Sequence, residues 1–331
     1  MKLVTMRDSK SRALGLEGSS PSPGTNKMKR VLVIVGPTAT GKSDLAVYLA
    51  KKLHGEIISA DSRQVYKGLN IGSGKITKKE MEGVPHYLLD VANPKKQFSA
   101  DLYKTLAGKT LENIIQRKRL SIVVGGSGFY IDALAGRVRF PNVPPNAKLR
   151  KKLLAKNAEE LFKTLKKKDP RRAKTIDKYN KVRLVRALEI VKVLGKVPAL
   201  GHRMSKWSPY SFVYIGLNPD NSEKRILARL LKRLPGIIRE CKKLHKQGLS
   251  YKRMHELGLE YRFTAMYLKG EINKKELVEK LNIAIRQYAK RQMTYWKRNS
   301  NIEWFTLSLA SDGVNPKEYK GIEKFVRTKI N

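Results

Sequence analysis

The octapeptide GPTATGKS, Gly36 to Ser43, stands between the apolar run VLVIV (31–35) and a helical pattern that begins at Lys42. It fits G-x-x-x-x-G-K-[ST] and dictates how the fold starts: a buried strand, a tight turn, and a helix whose N-terminus faces an anion. Gly36 and Gly41 permit backbone angles that aim several N–H groups at one point, with Pro37, Thr38, Ala39 and Thr40 forming the turn between them. Lys42 adds a positive charge against phosphate oxygens, and Ser43 offers a hydroxyl to Mg²⁺. The motif therefore predicts a bound di- or triphosphate. It does not name the reaction, and ATP satisfies it as well as a diphosphate does.

Past the turn, apolar spacing predicts a helix over 42–53. A second short strand, EIISA (56–60), ends at Asp61, and HYLLDV (86–91) reads as a weaker third strand. A helix follows over 99–118, then a fourth strand, LSIVV (120–124), closed by Gly125–Gly126. Strand and helix alternate, so the expected class is α/β: a P-loop NTPase-like, mostly parallel sheet flanked by helices. Near residue 137 the texture changes to helices, basic runs and the loop FPNVPPN (140–146). FVYIGL (212–217) then returns as a buried strand, and EWFTL (303–307) reads as an edge strand after a long helical stretch. The expected organisation is a core of 30–136 and 208–331 interrupted by a helical insertion over 137–207. Polar residues 1–29, with the run SSPSPG (19–24), read as a disordered leader, with Met28 as the candidate initiator.

Charge narrows the partners. Lys plus Arg number 70 against 28 Asp plus Glu, a formal net charge of +42. A surplus of that size favours an anionic partner, and its recurrence inside helices beside aromatics points to nucleic acid. No apolar stretch reaches the length of a membrane span, and the N-terminus lacks a secretory signal's apolar core. A cytoplasmic, monomeric protein is expected. The lone cysteine, Cys241, excludes an internal disulfide and a cysteine-based zinc site.

Carboxyl ends of strands face the ligand crevice in open α/β sheets, which places Asp61 and Ser127 beside whatever Lys42 holds. The fourth strand runs into Gly125–Gly126–Ser127–Gly128 and carries no Walker-type acid after it; Asp61 is the acidic residue nearest the cradle in this pattern. Position alone leaves Asp61 open between a chemical role and a strand cap.

Six segments follow in order: GPTATGKS (36–43), SADSRQVYKGLNIGSGK (59–75), GVPHYLLD (83–90), GGSGFYI (125–131), VRLVRALEI (182–190) and IRQYAKRQMTYW (285–296). Together, over about residues 30–306, they resemble the tRNA dimethylallyltransferase (tRNA isopentenyltransferase) family. The resemblance implies transfer of a dimethylallyl group from dimethylallyl diphosphate to the exocyclic amine of the adenine 3′ of the anticodon, with the P-loop holding the donor's diphosphate rather than a nucleotide. It implies that Asp61 is the general base, and that Ser127, where most members carry Thr, neighbours the reacting groups. Arg229 and Arg233 match arginines that help hold the diphosphate. Asp61, Ser62, Arg63 and Gln64, then Val182, Arg183, Leu184, Val185 and Arg186, then Gly258 and Arg262 match segments that touch the tRNA. The chain departs from the commoner pattern at NIGSGK (70–75) for DIGTAK and at ELGLEYR (256–262) for a contiguous Gly-Tyr-Arg, and it lacks the C-terminal zinc finger of many eukaryotic members.

Independently of any resemblance, 100° per residue aligns Arg286, Lys290 and Lys297 on one face of a helix, apart from an apolar side of Ile285, Ala289, Met293 and Trp296. A phosphate-tracking ridge with Tyr288 and Tyr295 at its edge suits an RNA loop. Arg183 and Arg186 share a second helical face. Competing readings are a P-loop kinase or NTPase acting on nucleic acid, prenyl transfer to free adenylate, and a non-catalytic RNA-binding protein using the P-loop as a sensor.

Overall fold

The computed structural model describes residues 28–138, 140–198, 209–219, 222–307, 309–310, 313–314 and 316–330. The leader reading thus falls, but for Met28 and Lys29, outside the described residues. In chain order the elements are β1 (Lys29–Val35), α1 (Lys42–Lys52), β2 (Gly55–Ser59), β3 (His86–Tyr87), α2 (Ala100–Gln116), β4 (Leu120–Val124), α3 (Gly128–Leu134), α4 (Ala147–Leu154), α5 (Ala158–Lys168), α6 (Pro170–Ala173), α7 (Lys181–Leu194), β5 (Tyr210–Pro219), α8 (Ser222–Lys246), α9 (Tyr251–Leu257), α10 (Leu259–Leu268), α11 (Lys274–Trp296), β6 (Ile302–Leu307), β7 (Leu309–Ala310), β8 (Gly313–Val314) and α12 (Pro316–Ile330).

One parallel sheet in the order β3-β2-β4-β1-β5-β6 organises the core. β1 lies between β4 and β5, and its alternation feeds both faces. Val31, Val33 and Val35 pack with α2 and α8–α11 on one side, while Leu32 and Ile34 pack with α1 and α12 on the other. A strand flanked and covered in this way must be apolar at every position, which is why VLVIV shows no alternation of polar residues. The turn after β1, the loop after β2 and the glycine loop after β4 consequently emerge together at the carboxyl edge of the sheet.

HYLLDV shrinks to a two-residue strand. Leu88 and Asp90 adopt left-handed backbone, φ 63° and 55°, and that conformation cannot continue a ladder. EWFTL does form the edge strand, pairing parallel to β5.

Helices α4–α7 gather around a cluster of their own, with Leu161, Leu165, Leu184, Val185 and Leu188 buried. Local chemistry sets their limits. Asn146, Asn157 and Asn180 cap α4, α5 and α7 by accepting backbone N–H bonds, and Gly195 at φ 75° ends α7. At the centre of this unit Glu189 is buried and accepts from Arg150 at 2.8 Å, from Asn146 N–H at 2.9 Å and from Arg186 at 3.4 Å. Burial works to raise its pKa, but Arg150 and the Asn146 amide outweigh it and hold the carboxyl below its ordinary range.

Candidate active site

A cavity of about 340 Å³ opens at the carboxyl edge of the sheet. Thr38 to Asp44 form one wall and Asp61 to Gln64 the next; the 72–74 loop, Arg229 and Arg233 of α8, the start of α10, and Ile285, Tyr288 and Gln292 of α11 complete it. In the cradle Gly41 sits at φ 78°, a left-handed angle that lets α1 begin with its free N–H groups facing the cavity. The Lys42 ammonium donates to Pro37 O and, at 3.2 Å, to Thr40 Oγ1. Burial lowers its pKa to about 8, with Asp61 opposing that shift and Arg229 adding to it. An ammonium held so loosely to its proton gains from an incoming anion.

Asp61 lines the same cavity. Its Oδ1 accepts the backbone N–H of Arg63 at 2.7 Å and of Gln64 at 3.4 Å, so one oxygen shapes the 61–64 turn. Ser127 does not line the cavity. Its Oγ accepts the Ser62 N–H at 2.9 Å, joining the glycine loop to that turn from behind the wall.

The two arginines of α8 part company. Arg233 donates to Ile71 O and Gly72 O, which makes it a clamp on the 70–75 loop, whereas Arg229 stands exposed at the cavity beside the cradle. Two residues that the sequence did not single out complete this wall. The Glu240 carboxylate accepts the N–H groups of Asn70 (2.9 Å), Ile71 (2.7 Å) and Gly72 (3.0 Å), and the Tyr261 hydroxyl at 2.8 Å. Buried Gln292 accepts the Thr38 N–H and donates to Gly126 O, both at 3.0 Å, tying the phosphate cradle to the glycine loop. A Cβ at Gly126 would lie 2.1 Å from Gln292 Nε2, so a side chain there would displace the Gln292 amide from its bond to Gly126 O. A signal for Gln292 was present: it is the polar member of an otherwise apolar stripe, Ile285–Ala289–Gln292–Trp296.

Similarity to known proteins points the same way. A family model described as IPP transferase matches residues 64–299. The tRNA dimethylallyltransferase 1 of Geotalea uraniireducens is 41% identical over 271 residues, 81% of this chain and 88% of its own. The tRNA dimethylallyltransferase of Anoxybacillus flavithermus is 37% identical over 293 residues, 85% and 91% of the two chains. The full-length tRNA isopentenylpyrophosphate transferase of Bacillus halodurans superimposes with a TM-score of 0.68 at 35% identity, covering 92% of this chain and 97% of that one. A eukaryotic dimethylallyltransferase solved acting on tRNA gives a TM-score of 0.71 at 26% identity over 84% and 74%. The chain belongs to the IPP transferase family.

Against the residues expected of an IPP transferase, the structure sorts the remaining positions into three groups. Ser62, Arg63, Gln64, Gly258 and Arg262 line the main cavity with Asp61. Val182 and Arg183 are exposed on α7, but Leu184 and Val185 are buried in the core of α4–α7 and present no side chain to a partner; their apolar surface packs there instead. Arg186 is tied to Val143 O at 2.8 Å and to Glu189. Arg286 and Lys290 face a second cavity, of about 380 Å³, with Lys297, Met293 and Pro37, on the other side of α11 from Tyr288. Ile226 lines both cavities and separates them.

Among the described residues no cluster of three or more His, Cys, Asp or Glu side chains could hold a metal ion alone. Ser43, exposed at the start of α1, fits the pattern in which Mg²⁺ takes one hydroxyl and completes its shell with water and phosphate oxygens. No helix among the described residues is long and apolar enough to cross a membrane.

Proposed function

We propose that the protein transfers a dimethylallyl group from dimethylallyl diphosphate to the exocyclic amine of the adenine 3′ of the anticodon in tRNA, releasing diphosphate. The observation that carries this reading is one cavity that holds an anion cradle on one wall and a carboxylate, Asp61, on the adjacent one. The cradle N–H groups, Lys42 and Arg229 receive the diphosphate. As the carbon–oxygen bond to diphosphate breaks and the carbon–nitrogen bond forms, the proton of the amine passes to Asp61, whose second oxygen is available once Oδ1 caps the turn. Mg²⁺, held at Ser43, would supply neutralising charge for the departing diphosphate. Ser127 positions the Asp61 turn through Ser62 N–H, and Arg233 acts on the 70–75 loop rather than on phosphate directly.

Arg63, Gln64, Gly258 and Arg262 rim the cavity where the base must enter, while Val182 and Arg183 on α7 offer a surface to the stem. Extruding a stacked base costs about a few kcal/mol, which phosphate contacts over a basic surface offset. A phosphoryl-transfer reading fits less well, because β4 runs into Gly125 and Gly126 with no acid placed for Mg²⁺. Nucleoside mass spectrometry of tRNA incubated with the protein, Mg²⁺ and dimethylallyl diphosphate tests the proposal. One added dimethylallyl group on the adenine next to the anticodon is expected; ATP consumption without prenylated adenosine would replace this reading with the kinase alternative.

A further inference from the structure

One carboxyl group in the main cavity has no part in the reaction as described. Glu260 lines the cavity together with Asp61, Arg63, Arg233 and Tyr288. It arises from the ELGLEYR segment, where Leu259 and Glu260 stand between Gly258 and Tyr261–Arg262. Gly258, at φ 142°, turns the chain so that α10 starts at the cavity wall with Glu260 in its first turn. Both cations that could pair with this carboxyl are engaged elsewhere. Arg233 donates to Ile71 O and Gly72 O, and Arg63 to Glu256 O at 3.4 Å. Neither forms an ion pair with Glu260 among the described residues, and the carboxyl's one hydrogen bond is to its own backbone N–H. A cavity-lining acid without a partner of its own is matched to a ligand rather than to the fold.

We infer that Glu260 reads the Watson–Crick edge of the acceptor adenine, taking a bond from the exocyclic amine and giving one to ring N1. This rests on the function proposed above. The adenine edge offers a donor and an acceptor side by side, and a carboxylic acid supplies the complementary pair. Burial pushes the Glu260 carboxyl above its ordinary range and Asp61 reinforces that shift, while Arg233, the backbone N–H and Arg63 oppose it. The amine carries two protons. Glu260 binds the one on the N1 side, which leaves the other for Asp61, so the two carboxyls divide the amine between recognition and proton removal. Tyr288, a residue 37% exposed that lines the same cavity, offers a ring face to the base.

The test is a cycle of enzyme and acceptor, read as kcat/KM on anticodon stem-loops bearing adenosine or 1-deazaadenosine at the reacting position. The deaza base keeps the amine and lacks the N1 acceptor. The penalty for 1-deazaadenosine should be about 10- to 100-fold larger in wild type than in Glu260→Ala, within the coupling range of groups in direct contact. Glu260→Gln should restore that penalty, because an amide also presents one donor and one acceptor. The KM for dimethylallyl diphosphate should stay within about twofold of wild type in both variants; a purely structural role through Arg233 would raise it instead. Equal deaza penalties in wild type and Glu260→Ala overturn the inference, and so does a Gln variant that behaves as Ala does, which would make Glu260 an ionised acceptor. If wild type fails to prenylate the adenosine stem-loop at all, the reaction assignment fails first. Thermal melts of both variants establish that the comparison is between folded proteins.

Discussion

Asp61 and Lys42 show how much of the chemistry rests on single atoms. In Asp61, Oδ1 caps the 61–64 turn, and the proposed base is therefore the other oxygen. Asp61→Asn keeps an oxygen for the cap and replaces the basic one with an amide, so the turn should persist. Single-turnover rates should fall by about 10² to 10⁴, the usual worth of a positioned acid–base group, with donor and tRNA affinities near wild type. Loss of Mg²⁺-dependent donor binding would move Asp61 to the metal; normal turnover would remove it from the mechanism. Lys42 belongs to the cradle of the main cavity, whereas Arg286 and Lys290 of the α11 ridge line the second one. Lys42→Ala should weaken donor binding by about 10- to 100-fold, the range of a charge-assisted hydrogen bond to phosphate, while tRNA affinity is retained. Equal losses in both affinities would mean that donor and RNA share one site. These two residues were legible because each follows directly from a strand end or a motif. The partners of Gln292 and Glu240 were not, because each acts across the fold: Gln292, though marked as the polar member of an apolar stripe, on Thr38, 254 residues away, and Glu240 on Ile71, 169 residues away. Only the fold reveals such pairings.

Among the elements, α8 and α7 do work that their sequences conceal. On α8, Arg233 and Glu240 grip the carbonyls and the N–H groups of the 70–75 loop respectively, which holds a non-helical segment rigid at the cavity. Glu240→Gln places an amide against backbone donors, and leaving such groups unsatisfied costs about 1–3 kcal/mol. Hydrogen exchange at Asn70, Ile71 and Gly72 should accelerate, and the thermal midpoint should drop; unchanged protection would show that Arg233 alone secures the loop. In the α4–α7 unit, Glu189 is 1% exposed and satisfied by Arg150, Arg186 and the Asn146 amide. Its folded pKa lies below the ordinary 4.5, so the unfolded chain binds this proton first as the pH falls. The stabilisation is thus fully present above pH 4.5 and is lost on acidification through the lower, folded value. Melting temperatures of wild type should fall more steeply than those of Glu189→Gln over that acid range. Parallel curves would mean that other carboxylates dominate. The same network explains why Arg186 could not be read from sequence: its spacing with Arg183 suggested a shared basic face, but a buried carboxylate one turn further on claims one of the pair.

For the whole molecule, the decisive property is a net charge of +42 carried on a scaffold with few acidic partners. The ridge of α11 tests whether that charge is organised. Arg286, Lys290 and Lys297 do share a face, as helical spacing implied, yet that face borders the second cavity, across α11 from Tyr288 and the reaction cavity. Arg286 meets Glu223 in a pair whose members are 37% and 52% exposed, a contact that water and salt weaken and that an RNA phosphate can displace. Lys290 and Lys297 are exposed beside it. Binding of tRNA should therefore release counterions, and log affinity should fall linearly with log salt. Each phosphate neutralised on a single-stranded segment contributes about 0.7 to that slope, so replacing Arg286 and Lys290 together by Ala should flatten it by about 1.4. Affinity should drop at low salt and converge with wild type at high salt, while turnover at saturating tRNA is preserved, because neither residue lines the reaction cavity. Filter binding across a salt series measures both quantities. A slope identical to wild type would assign the ridge to solvent and leave the rim around Arg63 and Arg262, with the exposed face of α7, as the surface that carries the RNA.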